Sequence, residues 1–381
     1  MNGSIRVGNL FGIPFYVNPS WFLVLGLVTF DFGGYLAGLF PGLGGGLSLL
    51  LGLVAALLLF ASVLAHELGH SVVAIQQGIE VKSITLFLFG GLAGLEKESE
   101  TPAEAFWVAI AGPVVSLVLF ALLTVISVST GISGPLAAIV SLVASINLML
   151  ALFNLIPGLP LDGGNILKSL VWKITGNPYK GVVFASRVGQ LLGWVGITLG
   201  LLSVLGIRYI GGVYVGIGSF WTLLIGWFLL QNAGRSAQSA TLQETLTSLK
   251  AEDAVLPESP IVPANLSLRE FANNYIIGKD EWRKFLATNE EGQLLGAIAI
   301  DDMRAVPTSD WPRIPVRDLM RPVDLSTIVK PEQSLLDAIV LLEKEQLTSL
   351  PVVRENGVVV GILEKASIIR LIEQRVQAKL A

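Results

Sequence analysis

The sequence predicts a polytopic α-helical membrane protein that continues into a soluble α/β module built from two repeats. Hydrophobic residues make up 52% of the 381 residues and the mean hydropathy is +0.70, which is outside the range of soluble globular proteins. Residues 1–235 hold 17 charged side chains (nine basic, eight acidic), whereas residues 236–381 hold the other 37 of the 54. We therefore expect a membrane domain at 1–235 and a linker at 236–250 before the repeats.

Six stretches of the membrane domain are long enough to cross a bilayer, which requires about 20 largely apolar residues. They are 7–30, 32–66 with an extension to about Ala74, two spans within 105–161 separated by a turn at 131–135, 188–207, and 209–234. An even number places both termini on one side of the membrane. Nearly all Lys and Arg residues of the domain fall on that side, so the positive-inside rule predicts cytoplasmic termini and a cytoplasmic soluble module in a multi-pass plasma-membrane protein.

The soluble module repeats itself at an interval of 65 residues. The stretch "EGQLLGAIAIDDM" at 291–303 aligns with "NGVVVGILEKASI" at 356–368, and "AEDAVLP" at 251–257 aligns with "VRDLMRP" at 316–322. Each copy combines a helical stretch with short β-branched runs around a glycine turn. The pattern indicates two copies of one small α/β unit, at 251–310 and 311–381.

Composition excludes several function classes. The net charge is −4 and no segment interleaves basic and aromatic residues, so we expect no nucleic-acid partner. The chain has no cysteine, which excludes disulfides, thiolate metal ligands and cysteine nucleophiles.

The strongest chemical signal is "HELGH" at 66–70, inside the second predicted span, which contains the only two histidines of the chain. His66 and His70 are one helical turn apart, the spacing at which two imidazoles bind one Zn²⁺, and Glu67 is placed to act as a general base. The alternative is a pair of structural histidines bonded to neighbouring helices. Because ionisable side chains are costly inside a membrane and functional by default, we favour one zinc ion per chain.

A zinc site with two histidines and a water is one protein ligand short. His66 lies about 15 Å from the predicted end of its helix. Among the acids of the membrane domain, only Asp162 in "NLIPGLPLDGGN" follows an apolar span that approaches the cytoplasmic side at a similar depth. Asp162 is therefore the best candidate for the third ligand, and an ordinary Asp-Gly turn residue after a proline is the alternative.

Three motifs together resemble those of the site-2 protease family of intramembrane zinc metalloproteases. They are "HELGH", "AGPVVS" at 111–116 and "NLIPGLPLDGG" at 154–164. The resemblance is to the six-span subgroup that carries a C-terminal pair of CBS domains, and it covers essentially the whole chain.

The resemblance implies roles for single residues and a class of substrate. His66, His70 and Asp162 would bind zinc, Glu67 would be the catalytic acid/base, and Asn154 would help to hold the substrate or the oxyanion. For Asn154 a hydrogen bond between helices is the alternative. The implied substrate is a single-span membrane protein that is cleaved within or near the lipid bilayer.

Three rival functions explain less of the sequence. "GISG" at 131–134 resembles the serine motif of rhomboid proteases, but both histidines lie toward the opposite face, so we interpret it as a turn. An aspartyl intramembrane protease needs two facing aspartates, and Asp31 and Asp162 are expected at opposite depths. A CBS-gated transporter or channel explains the repeats but leaves "HELGH" unexplained.

CBS pairs commonly bind adenine nucleotides and hold the ribose with a Ser/Thr and an Asp three residues later. The corresponding pairs here are Ala299 with Asp302 and Glu364 with Ser367, and neither is complete. We expect adenine-nucleotide binding to be weak and to use Asp302. A purely structural or dimerising role is an equal alternative, and the latter would give a homodimer through the CBS pair.

The segment "KSITLFLFGG" at 82–91 follows the predicted catalytic helix and is rich in β-formers. We predict an edge strand that receives the unwound substrate through main-chain hydrogen bonds, which are costly to leave unmade in lipid. A short buried strand without substrate contact is the alternative.

Overall fold

The chain begins with a β-hairpin where the sequence predicted a membrane span. The structure, a computed structural model, describes residues 4–380 except 11, 88–89, 208, 211–212, 215–217 and 279–281. Strands β1 (Ile5–Leu10) and β2 (Ile13–Val17) pair in antiparallel fashion, and helix α1 (Ser20–Leu39) follows. The predicted crossing at 7–30 therefore starts too early, because Pro14 and Pro19 do not allow a continuous helix through this region.

Long apolar helices make up most of the next 170 residues, which confirms the predicted polytopic helical domain. They are α2 (Gly44–Gln76, after a 3₁₀ turn at Pro41–Leu43), α3 (Pro102–Ser129), α4 (Gly134–Asn154), the shorter α5 (Asp162–Thr175) and α6 (Pro178–Val204). By length and composition, five helices among the described residues can cross a membrane: α1, α2, α3, α4 and α6. The predicted turn between α3 and α4 is confirmed, with Gly131 and Gly134 at positive φ.

A four-stranded sheet packs against the C-terminal half of α2. Strand β3 (Val81–Phe87) pairs in parallel with β2 and antiparallel with β4 (Gly90–Leu95), so the order is β1-β2-β3-β4. Its core comprises Ile13, Ala74, Ile79, Val81 and Ile84. The prediction of an edge strand at 82–91 was wrong for its β3 part, because the N-terminal hairpin occupies one side of β3; residues 88–89 lie outside the described residues.

The sixth predicted crossing, at 209–234, lies partly outside the described residues. Its described part forms the two-residue strands β5 (Tyr209–Ile210) and β6 (Val213–Tyr214) and the start of helix α7 (Phe220–Ser248). The apolar residues of α7 run from 220 to 230, so a crossing of roughly 20 residues also needs residues 209–219 before the helix.

Helix α4 runs in the same direction as α2. Ala55 of α2 belongs to the same buried cluster as Ile139 of α4, and further along both helices the Nδ2 group of Asn147 donates to Ser62 Oγ at 2.9 Å. The two contacts progress together from the N-terminal to the C-terminal ends. The helices are therefore parallel.

The chain divides into a first unit at Met1–Thr241 and a second unit at Leu242–Ala381. The second unit is the predicted α/β module. Its elements are β7 (Ile261–Pro263), α8 (Leu268–Phe271, followed by a π-helical turn at Ala272–Ile276), β8 (Lys284–Thr288), β9 (Leu294–Ala299), α9 (Leu335–Lys344), β10 (Ser349–Val353), β11 (Val359–Glu364) and α10 (Lys365–Leu380).

The strands of the second unit reproduce the 65-residue interval. Strands β8 and β9 recur 65 residues later as β10 and β11, with the same lengths. The copies differ after their last strand, where the first has a 3₁₀ helix at Ile300–Ala305 and the second has the 16-residue α10. Pro307 accounts for the early end in the first copy, because proline does not continue a helix and restricts the residue before it.

Candidate active site

Three predicted metal ligands meet at one point of the membrane domain. His66 Nε2 lies 3.1 Å from Asp162 Oδ2, and His70 Nε2 lies 3.3 Å from that same oxygen and 3.3 Å from His66 Nε2. Ligand atoms bound to a tetrahedral Zn²⁺ at about 2.0–2.1 Å are roughly 3.3 Å apart. Two neutral imidazoles and one carboxylate are also a ligand set typical of catalytic zinc. The three side chains therefore fit one zinc ion in both geometry and chemistry.

Two glycines bring Asp162 to the histidines. Asp162 is the first residue of α5, and Gly163 and Gly164 follow it, both buried. A Cβ atom at Gly163 would meet the carbonyls of Leu155 and Ile156, and one at Gly164 would meet the backbone of residues 158–159. The "DGG" sequence thus lets the chain after α4 pack on the first turn of α5. This close approach positions the Asp162 carboxylate beside α2.

Helix α3 contacts both histidines. His66 Nδ1 lies 2.9 Å from Ser116 Oγ, and His70 Nδ1 donates to the carbonyl oxygen of Val108 at 2.6 Å. Between these residues, a Cβ atom at Gly112 would meet the Nε2 atoms of both histidines. The sequence reasoning missed these three α3 residues, although "AGPVVS" contains two of them.

Glu67 belongs to α2, and its side chain lies against strand β4. It is half-buried, and a Cβ atom at Gly91 of β4 would meet its Cγ, with its Oε1 at 3.0 Å. The strand therefore passes in contact with the carboxylate that the sequence predicted as general base. A larger residue at position 91 would require the Glu67 side chain to move.

Asn154 is the last residue of α4 and is half-buried. In the part of the chain that the structure describes, no hydrogen bond is recorded for its side chain. The interhelical hydrogen bond considered for Asn154 is instead made by Asn147, two turns earlier on the same helix face, with Ser62 one turn before His66. Because α4 is parallel to α2, Asn154 lies about 10 Å further along, near the depth of His70.

Asp302 of the second unit is hydrogen bonded within the protein. Its Oδ2 accepts from the backbone N–H of Ala299 at 2.9 Å, and its Oδ1 accepts from Arg321 Nη2 at 2.5 Å. The side chain is 12% exposed. A nucleotide that used this carboxylate would share it with Arg321 and Ala299.

Comparison with known proteins agrees with this site. The model of the family described as "Peptidase family M50" matches residues 54–134 and 130–196, and that of the CBS domain matches residues 316–374. The chain is 60% identical to "Putative zinc metalloprotease sll0528" of Synechocystis over 98% of this chain and 96% of the relative. It is 29% identical to "Zinc metalloprotease MJ0392" of Methanocaldococcus jannaschii over 97% of this chain and 96% of the relative.

A solved structure also resembles part of this one. The "Site-2 Protease from Methanocaldococcus jannaschii" matches with a TM-score of 0.43 and 28% sequence identity, covering 61% of this chain and 95% of that chain. The assignment rests on the near full-length relative at 60% identity and on the family match across the "HELGH" and "LDGG" motifs. The chain belongs to peptidase family M50.

Proposed function

We propose that this zinc metalloprotease is an intramembrane endopeptidase that cleaves a single-span transmembrane protein within or near the bilayer. His66, His70 and Asp162 hold the zinc. The observation that carries the proposal is the triangle of ligand atoms, 3.1 to 3.3 Å on a side, two of which belong to α2, a helix long and apolar enough to cross the membrane. His66 precedes the C-terminal end of α2 by ten residues, or about 15 Å.

A zinc ion in this triangle and the residues around it would each supply one part of peptide hydrolysis. A bound Zn²⁺ supplies a Lewis acid that lowers the pKa of water toward 7 and polarises the scissile carbonyl. Glu67 accepts the proton of the attacking water and passes it to the leaving amine. Asn154, near the depth of His70, holds the substrate main chain or its developing oxyanion with its amide group.

Strand β4 is the element we assign to substrate binding. Among the described residues β4 pairs only with β3, so its other edge has unpaired main-chain groups, and Gly91 brings that strand against Glu67. A transmembrane helix must unwind before its peptide bonds become accessible. Pairing of the unwound segment with the β4 edge satisfies its N–H and C=O groups, which are costly to leave unpaired in lipid.

Proline substitutions at two neighbouring β4 residues test the assignment. Successive N–H groups of a strand point to opposite edges, so one of Ala93 and Gly94 donates toward β3 and the other toward the open edge. We expect one of Ala93→Pro and Gly94→Pro to lose cleavage with zinc retained and unchanged thermal stability in detergent, and the other to lose stability. Ala93→Ser and Gly94→Ala keep the N–H and serve as controls. Full cleavage by both proline variants would place the substrate elsewhere.

The proposed activity predicts zinc-dependent cleavage inside a transmembrane segment. Purified protein in liposomes is expected to hold about one zinc per chain and to cut a co-reconstituted single-span protein at a bond that mass spectrometry places within or next to the span. Removal of zinc by a chelator should abolish cleavage, and added zinc should restore it. Asp162→Ala, which deletes one of three ligands, should lose both zinc and activity.

Three outcomes of this experiment would contradict the proposal or its ligand set. Cleavage that persists after zinc is removed would exclude the metal chemistry. Solute or ion flux through the liposomes without any cleavage would favour the alternative of a CBS-gated transporter or channel. Full zinc occupancy and activity in Asp162→Ala would return Asp162 to the role of a turn residue.

For the remaining organisation we propose a membrane domain at 1–235, a linker at 236–250 and CBS domains at 251–310 and 311–381. Both termini and the CBS pair lie in the cytoplasm of a plasma-membrane protein, which takes 209–234 as a sixth crossing beside the five long helices and is supported by the distribution of Lys and Arg. The CBS pair acts as a regulatory or dimerising module. The hydrogen bonds of Asp302 favour a role that does not require tight adenine-nucleotide binding.

A further inference from the structure

We infer that Ser116 of α3 is a positioning residue of the zinc site: its hydroxyl accepts the Nδ1–H of His66 and so leaves Nε2 as the metal-binding nitrogen. The inference rests on the proposed function, since it takes His66 to be a zinc ligand. The contact that carries it is the 2.9 Å separation of His66 Nδ1 and Ser116 Oγ, between two side chains that are both buried.

A histidine can bind a metal only through the ring nitrogen that carries no proton. The hydrogen bond at the other nitrogen therefore decides which one is available. In His70 the protonated nitrogen is fixed, because Nδ1 contacts the carbonyl oxygen of Val108 and a carbonyl oxygen only accepts. Its proton is on Nδ1 and its Nε2 is free to bind zinc.

His66 differs from His70 because a serine hydroxyl can either donate or accept. If Ser116 donated, the proton of His66 would lie on Nε2, the atom that lies 3.1 Å from Asp162 Oδ2 and faces the ligand triangle. Zinc binding requires the opposite arrangement, with Ser116 as acceptor. Ser116 is fully buried, so bulk water does not replace the hydroxyl at Nδ1.

The spacing along α3 relates the two contacts to each other. Val108, Gly112 and Ser116 are four residues apart in each step and so share one face of α3. Each outer member is bonded to one histidine, and Gly112 between them leaves room for both imidazole rings. One face of α3 thus orients both rings, once through a backbone carbonyl and once through a side chain. Only the side-chain contact can be removed by substitution.

Ser116→Ala is expected to weaken zinc binding by about 10- to 100-fold, the usual effect of deleting a group that orients a metal ligand. Affinity is measured on purified full-length protein by competition with a chromophoric chelator at fixed pH. Ser186→Ala is the matched control, because Ser186 is also fully buried and its hydroxyl has no partner among the described residues. We expect this control to bind zinc as the parent does.

A second pair of variants isolates the hydroxyl from packing. Ser116→Thr and Ser116→Val introduce side chains of the same shape, and only threonine keeps the hydroxyl. We expect the Ser116→Thr variant to bind zinc at least tenfold more tightly than the Ser116→Val variant. This ratio is independent of any loss of affinity that the added methyl groups cause in both variants. Equal affinities of the two variants, or parent affinity in Ser116→Ala, would overturn the inference.

His66→Ala separates failure of this inference from failure of the proposed function. If His66→Ala loses zinc but Ser116→Ala does not, His66 is a ligand that needs no help from Ser116. If His66→Ala itself retains the zinc affinity of the parent, the proposed ligand set is wrong. The positioning role of Ser116 is then wrong as well.

Discussion

Glu67→Gln is expected to lower the rate of cleavage by about 10²- to 10⁴-fold while zinc remains bound, the range attributed to a general acid–base group. Glutamine has nearly the shape of glutamate, so it fits the contact with Gly91 of β4. Its amide cannot accept the proton of the attacking water. The three ligand atoms belong to His66, His70 and Asp162, so this substitution removes no ligand.

The measurement combines zinc content with cleavage rate at saturating substrate. Glu96→Gln is a matched control, because Glu96 is exposed and its only recorded ion pair in the described part of the chain is a long one, 3.7 Å, with Lys82. We expect parent activity in that control. A rate for Glu67→Gln within a few-fold of the parent would remove Glu67 from the proton transfer and leave its position between α2 and β4 without a catalytic explanation.

The sequence revealed those site residues that lie close together along the chain. His66, Glu67 and His70 lie within one turn and a half of one helix, so a regular helix is enough to place the two imidazoles together. Asp162 follows 92 residues after His70 in the sequence. It could be selected only because few acids of the membrane domain lie near a suitable depth, and the structure brings its carboxylate to the histidines.

The contacts made by α3 were not readable from the sequence for a physical reason. One partner is the backbone carbonyl of Val108, which every residue has, and another is the absence of a side chain at Gly112. The carbonyl carries no residue-type signal, and Gly112 is one of 41 glycines in the chain. Ser116 is one of several buried serines in the membrane domain, and only the packing of α3 against α2 distinguishes it from Ser186.

The fold shows the same division between local and non-local information. The 65-residue repeat was visible because each copy carries its own strands and turns. The position of β3 inside its sheet was not, since pairing with the N-terminal hairpin joins residues about 70 apart in the sequence. The same hairpin displaced the first membrane helix, whose apolar residues continue without a charge from residue 7 into α1.

Gly112→Ala is expected to prevent zinc binding almost completely. The added Cβ atom would lie 2.7 Å from His66 Nε2 and closer still to His70 Nε2, so it would meet the two nitrogen atoms that face Asp162. Both rings would have to turn away from the ligand triangle. We expect zinc affinity to fall by more than about 100-fold, beyond the usual effect of losing an orienting hydrogen bond, and cleavage to be lost with it.

Helix propensity allows an effect of Gly112→Ala on zinc binding to be separated from an effect on helix stability. Alanine is favoured over glycine in a helix by about 1 kcal/mol, so the substitution should not weaken α3 itself. Gly26→Ala in α1 is the control, because its Cβ atom would meet nothing within 4 Å and the change in propensity is the same. Zinc affinity by chelator competition and thermal stability in detergent, measured on both apo variants, separate the two effects. If Gly112→Ala binds zinc and cleaves as the parent does, the imidazoles have room to retreat, and the contact of α3 with both Nε2 atoms does not constrain the zinc site.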